Sequence, residues 1–314
     1  MRDLTVSPSP HIRSRVTTSR IMLHVLIALL PAFAAAVVLF GVRALVMVCV
    51  CMGSAFLWER GCNLIMKRPN TTGDLSALVT GMILAFNLPP SLPYWMAVVG
   101  TFVAIVITKQ IFGGLGQNFA NPAIVGRIVL MMSFTGEMTS WVMPNYMAQD
   151  VITAPTPLVE KNGLYSYLDL FIGRHPGCIG EVCCAALIAG GIYLVIMRVI
   201  SIHIPVSFVG TVFVFSWIAG KDPVYQILSG GVMLGAIFMA TDYVTSPVSK
   251  KGKVIFGAGC GVLTCLIRFY ANYPEGVSFA ILLMNIVTPY IDMLTRAKPV
   301  GVPAVKKEAQ GDEK

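Results

Sequence analysis

The stretch Ile21-Met-Leu-His-Val-Leu-Ile-Ala-Leu-Leu-Pro-Ala-Phe-Ala-Ala-Ala-Val-Val-Leu-Phe40 decides the fold. It has no Asp, Glu, Lys or Arg, and a helix that crosses a bilayer needs roughly 17–25 apolar residues. No Ala-x-Ala cleavage signature follows this run, so it reads as a retained anchor and not as a removable signal. Before it, Met1 to Arg20 is polar and basic, with Arg2, Arg13, Arg15 and Arg20.

The rest of the chain is like its opening span. Hydrophobic residues make up 56% of the 314 positions, charged residues 12%, and the mean hydropathy is +0.75. Soluble domains carry about 25% charged residues, so the chain belongs among membrane lipids. A net charge of +8 would suit nucleic acid, but the basic residues sit in short loops between apolar runs, where they set topology. Nucleic acid is excluded as a partner on that ground.

Nine further apolar segments follow the first: Ala44–Leu57, Leu75–Leu88, Tyr94–Ile107, Pro122–Phe134, Val182–Met197, Ile204–Ala219, Val224–Thr241, Val254–Phe269 and Val277–Leu294. Several are short, which requires flanking residues to extend them or the helices to be broken. Threaded from an inside N-terminus, the 23 basic residues divide as 17 inside, 5 outside and Arg127 within a span. The opposite orientation inverts that balance. Both termini are therefore expected inside, in the cytoplasm of a bacterial cell with the spans in its inner membrane.

The expected fold is an all-α polytopic membrane protein of about ten transmembrane helices in two inverted five-helix repeats. Its parts are a tail over 1–20, a first repeat over 21–134, an extracytoplasmic loop over 135–181, a second repeat over 182–297 and a tail over 298–314. Two odd-numbered halves run in opposite senses, the plan of many transporters. Leu75-Ser-Ala-Leu-Val-Thr-Gly81 resembles Tyr225-Gln-Ile-Leu-Ser-Gly-Gly231, and Asn118-Phe-Ala resembles Ser278-Phe-Ala.

Chemistry-bearing residues are sparse. His11, His24, His175 and His203 show no ligand spacing, and the eight cysteines lack the tight Cys-x-x-Cys pattern of an iron–sulfur site. They read as small apolar packing residues. Gly257, Gly259 and Gly261 read as points of close helix contact. Glu59, Arg60, Lys109, Arg127, Asp242, Arg268 and Asp292 lie at or near span edges, where most can snorkel to an interface, and that plain reading is preferred for each. Arg127 and Asp242 are kept as candidates for an ion path or a cofactor contact.

Two inner loops, Lys109–Pro122 and Asp242–Lys253, are rich in Gly, Asn, Pro and hydroxyls. Glycine permits close backbone approach and free N–H groups bind oxygen-rich ligands. Neither loop is a dinucleotide or phosphate-loop motif, and a tight re-entrant turn explains them equally well.

The outer loop holds Asp150-Val-Ile-Thr-Ala-Pro-Thr156. Its shape, Asp-x-x-Thr-x-x-Thr-Pro-Leu, is close to the acceptor pattern for covalent attachment of FMN to a threonine. Pro155 and Pro157 stiffen the chain around Thr156 and deny it helix geometry. An ordinary capped turn uses the same residue types.

Three strings carry a resemblance: Lys109-Gln-Ile-Phe-Gly-Gly-Leu-Gly-Gln-Asn-Phe-Ala-Asn-Pro-Ala-Ile-Val-Gly126, Ala240-Thr-Asp-Tyr-Val-Thr-Ser-Pro247 and Tyr273-Pro-Glu-Gly-Val-Ser-Phe-Ala-Ile-Leu-Leu-Met-Asn285. They resemble the RnfD/NqrB family, over about Arg20 to Val300. Length and the lack of a large N-terminal extension favour the RnfD branch. The resemblance implies a membrane subunit of an ion-translocating ferredoxin:NAD oxidoreductase, working with partner subunits A, B, C, E and G to drive Na⁺ or H⁺ outward.

It also implies FMN on the last threonine of Asp-x-x-Ser/Thr-Gly-Ala-Thr, joined through a phosphoester by a flavin transferase. That pattern falls on Asp150, Thr153 and Thr156, with Ala154-Pro155 standing where the family has Gly-Ala. From the NqrB branch comes the further expectation of a riboflavin near Gly113, Gly114, Gly116 and Asn118. The competing expectation is an inverted-repeat solute or ion transporter without a covalent cofactor.

Overall fold

The computed structural model describes residues 16–69, 71–144, 157–158, 165–271 and 276–296. All ten apolar segments form helix, and no strand occurs among the described residues. In chain order they are α1 (Thr18–Phe40), α2 (Val42–Ile65), α3 (Ser76–Phe86), α4 (Tyr94–Gln110), α5 (Pro122–Ser133), α6 (Cys184–Ile196), α7 (His203–Ile218), the two-piece α8 (Pro223–Leu228, then 232–239), α9 (Lys250–Tyr270) and α10 (Val277–Thr295). The chain is an all-helical polytopic membrane protein.

Helix starts follow the local sequence. Asn121 and Asp222 each precede a proline at the first helical position, and their side chains accept from the N–H of Ala123 and of Val224 and Tyr225. That pairing suits a helix start because proline lacks the N–H a first turn would leave unsatisfied.

Only α1, α2, α9 and α10 are long and apolar enough to cross a bilayer unaided; α3 to α7 are shorter. Irregular backbone at membrane depth is tolerated only where protein buries it, and three devices meet that condition. The 175–182 segment, expected as the end of the outer loop and the first residue of the sixth span, folds back into the core and is buried throughout. There the N–H groups of Ile179 and Gly180 donate to Leu88 O and Phe86 O at 3.0 and 2.9 Å, satisfying the end of α3.

The second device is in α4, which turns π-helical over Val103–Gln110. Lys109, expected in an inner loop, thereby becomes the buried last turn of a helix. The third is in α8, expected to run unbroken over Val224–Thr241. It is interrupted at Ser229–Gly231, with Gly230 at φ +64°, and resumes into a π-helical turn over Gly235–Met239. Extra-wide turns of this kind cluster at functional sites.

Helix contacts are close where glycine allows. A Cβ on Gly257 would fall 2.0 Å from Ser207 Oγ, and one on Gly261 2.9 Å from Phe208 O, so α9 lies directly against α7. Within the first half α2 packs on α3 and α4. Within the second, α7 packs on α8 and α9, while α1 meets α6 and α5 meets α10 across the halves. Val38, Leu57, Ile218 and Leu294 stay exposed on the outer faces, as lipid-facing residues do.

Polar contacts gather the connections into two ends. At one, Ser19 reaches Gly73 O, Tyr243 reaches Val199 O and Val248 N reaches Asp292. At the other, Arg43 reaches Ser91 O, Ser91 reaches Ser140 and Tyr167 reaches Asp222. Residues 18 and 295 share the first end.

Candidate functional site

Asp150, Thr153 and Thr156 lie outside the described residues. The chain immediately after them is described, and it is docked. Pro157 is buried, its carbonyl accepts from Tyr225 Oη at 3.1 Å, and Leu158 packs on Gly230. The described chain at Pro157 and Leu158 is thus held beside the break in α8.

That break is a polar pocket held by Arg268 from the last turn of α9. Arg268 Nη1 donates to Gln226 O at 2.7 Å and Nη2 to Ser229 O at 3.1 Å. These are carbonyls that an uninterrupted helix would have satisfied itself. Gly230 makes the approach possible, since a Cβ there would sit 2.7 Å from Leu158 Cδ1 and 2.9 Å from Arg268 Nη2. Arg268 Nε and Ser229 Oγ are buried with no hydrogen-bond partner among the described residues. A further oxygen-rich group therefore fits here chemically.

One residue on, Gly231 faces a second charged centre, with Glu181 Oε1 2.6 Å from where its Cβ would be. Glu181 is held 3.3 Å from Arg127 Nη1, both side chains 2% exposed. Nη1 also donates to Asn87 Oδ1 at 2.6 Å and Ser278 Oγ at 3.1 Å. One guanidinium thus joins α3, α5, α10 and the inserted 175–182 segment. The snorkelling expected of Arg127 is overturned, because a partnered interior charge costs less here than one dragged past neighbouring helices.

At the opposite end Lys109 and Glu59 form a buried pair at 2.8 Å, with 2% and 0% exposure. Lys109 Nζ also donates to Ser76 Oγ at 2.6 Å, and Gln110 Nε2 donates to Glu59 Oε1 at 3.1 Å. These two residues, too, are locked in place and do not snorkel.

The glycines beyond Lys109 are explained by the turn. Gly113, Gly114 and Gly116 have φ of +125°, +99° and +94°, values that favour residues without a Cβ. Asn118 is buried, and its Nδ2 donates to Ala120 O at 3.0 Å.

Asn118, Lys109, Ser76, Asn121 and Asp242 line one cavity of about 80 Å³. Asp242 accepts from Thr245 Oγ1 at 3.2 Å, and burial nevertheless raises its carboxyl pKa. The cavity has room for a few waters, whereas pockets for larger organic ligands run roughly 300–1,000 Å³. A riboflavin does not fit it as it stands.

Sequence reading missed Asn87, Glu181, Ser278 and Tyr225. Asn87 closes an apolar run and Glu181 abuts one. The cost of burying a charge would have flagged Glu181 had the sixth span been begun one residue earlier.

His175 anchors the same inserted segment. It is buried, its Nδ1 hydrogen-bonds Pro176 O at 3.0 Å, and burial lowers its pKa below the ordinary 6.5. The unfolded chain therefore takes up this proton first as pH falls. Its contribution to stability is complete above pH 6.5 and declines below it, by at most about 1.4 kcal/mol per pH unit. The thermal midpoint should fall between pH 7.5 and 5.5, and His175→Gln should reduce that fall. An equal fall in the variant would assign the pH dependence elsewhere.

Comparison with known proteins agrees along nearly the whole chain. A family model described as NQR2, RnfD, RnfE family matches residues 5–301. The D subunit of the Na⁺-translocating ferredoxin:NAD⁺ oxidoreductase complex of Acetobacterium woodii is 48% identical, over 98% of each chain. The D subunit of the proton-translocating ferredoxin:NAD⁺ oxidoreductase complex of Clostridium ljungdahlii is 41% identical, over 95% of this chain and 96% of its own. The D subunit of an ion-translocating oxidoreductase complex of Escherichia coli is 36% identical, over 94% and 98%.

Proposed function

The chain belongs to the NQR2, RnfD, RnfE family, and from that membership we propose that it is the D subunit of an ion-translocating ferredoxin:NAD⁺ oxidoreductase. In this reading it carries FMN on Thr156 through a phosphoester, works with subunits A, B, C, E and G, and contains the two inverted five-helix repeats. Both termini face the cytoplasm and the threonine loop lies across the inner membrane. The relatives' names assign Na⁺ to one and protons to another, so the coupled ion is a monovalent cation.

The observation that supports the flavin most directly is the docking of Pro157 and Leu158 at the break in α8. Bound FMN supplies a redox centre that accepts and releases electrons. The chain's own part is positional. Tyr225 holds Pro157, Gly230 lets Leu158 and Arg268 approach, and Arg268 supplies the nearby positive charge that a phosphoester favours.

Peptide mass spectrometry tests this on protein made with its flavin transferase, beside Thr156→Val. The expected result is a mass increase of one FMN less water on the peptide holding Thr156, absent from the variant. An unmodified peptide, where a known acceptor protein is modified in the same cells, would reject the flavin. It would favour the cofactor-free transporter and point to Ala154-Pro155 as the cause.

A further inference from the structure

A groove with entirely apolar walls runs along the outside of α6, α7 and the second piece of α8. Ile196, Ile202, Val206, Phe213 and Met233 line it, and its volume is about 650 Å³. Gly210 forms part of its floor, with open space where a Cβ would be.

From Ile202 to Phe213 the wall of α7 is about 16 Å long at 1.5 Å per residue, and almost no polar surface lines it. The charge at one mouth selects the occupant.

The mouth at Ile202 lies at the end of the molecule that holds both described termini, and it is basic. His203, the next residue, lines a shallow depression with Lys250 and Lys251. Arg198 is exposed on the turn from α6 to α7, between the groove residues Ile196 and Ile200. Residues 196–205 and 249–258 contain no Asp or Glu. Lys250 and Lys251 begin α9, whose first turn has no acidic residue. Cations at the positive end of a helix are unfavourable, and an anion between them relieves that.

We infer that this groove is a binding site for one anionic phospholipid. Its tail lies along α7 and its phosphate sits against Arg198, Lys250 and Lys251. The apolar slot and the basic rim are separate features that one amphipathic molecule satisfies together.

The test uses the assembled complex, equilibrated with equal phosphatidylglycerol and phosphatidylcholine and then stripped with detergent, with retained lipid counted per complex. Wild type should retain phosphatidylglycerol in preference. Lys250→Gln with Lys251→Gln should lower that preference, by roughly fivefold for each lysine near the headgroups. Gly210→Phe, at a position where an added Cβ meets open space, should remove one retained lipid. Unchanged thermal midpoints in the variants exclude misfolding as the cause. Equal retention in all three proteins would overturn the site. So would efficient disulfide capture of Ile202→Cys or Val206→Cys by another subunit, because a protein would then cover the groove.

Discussion

Arg127→Ala is expected to destabilise the protein by about 3–5 kcal/mol, the cost of breaking a buried ion pair from one side. The change leaves Glu181 2% exposed without its guanidinium, and removes a donor from Asn87 Oδ1 and Ser278 Oγ. Because Arg127 joins α5 to α3, to α10 and to the inserted segment, the loss should appear as cooperative unfolding at lower temperature. Local fraying would not account for it. Arg127→Leu combined with Glu181→Leu should recover most of the stability, since apolar replacement of a whole buried pair is often neutral.

That double variant separates two roles. If the pair only holds the helices together, restored folding should bring restored electron transfer in the complex. If its charge is used during turnover, the folded double variant stays inactive. Full stability in Arg127→Ala alone would show that these three contacts contribute little.

Glu59→Ala should have a comparable effect at the other end, again about 3–5 kcal/mol, but with a different signature. It leaves the Lys109 ammonium buried with Ser76 Oγ as its remaining partner among the described residues. The glycine turn starts from this residue, as Gly114 N donates to Lys109 O at 3.0 Å. Amide hydrogen exchange should therefore accelerate over residues 111–118, while the Pro157–Leu158 docking site keeps its protection. Glu59→Leu with Lys109→Met should return exchange toward wild type. Uniform acceleration throughout the chain would mean that the pair supports the whole bundle.

The helices were legible because hydropathy records a solvent requirement that each segment meets alone. The ten segments and the close contacts at Gly257 and Gly261 follow from local composition. Lys109 was misplaced for a specific reason. A charged residue at the end of an apolar run reads as the start of a loop, and only Glu59, 50 positions earlier, gives it a reason to stay inside. Arg127 was seen but not understood, because its partners come from three separate parts of the sequence.

By itself, then, the sequence determined an all-helical membrane chain with a threonine motif in its longest polar interruption. Tertiary structure alone decided which charges pair, where α8 breaks, and that 175–182 turns inward to close the end of α3. Hydropathy is additive along the chain and can be read residue by residue. Pairing a buried charge depends on a partner distant in sequence, and that choice exists only once the helices have packed.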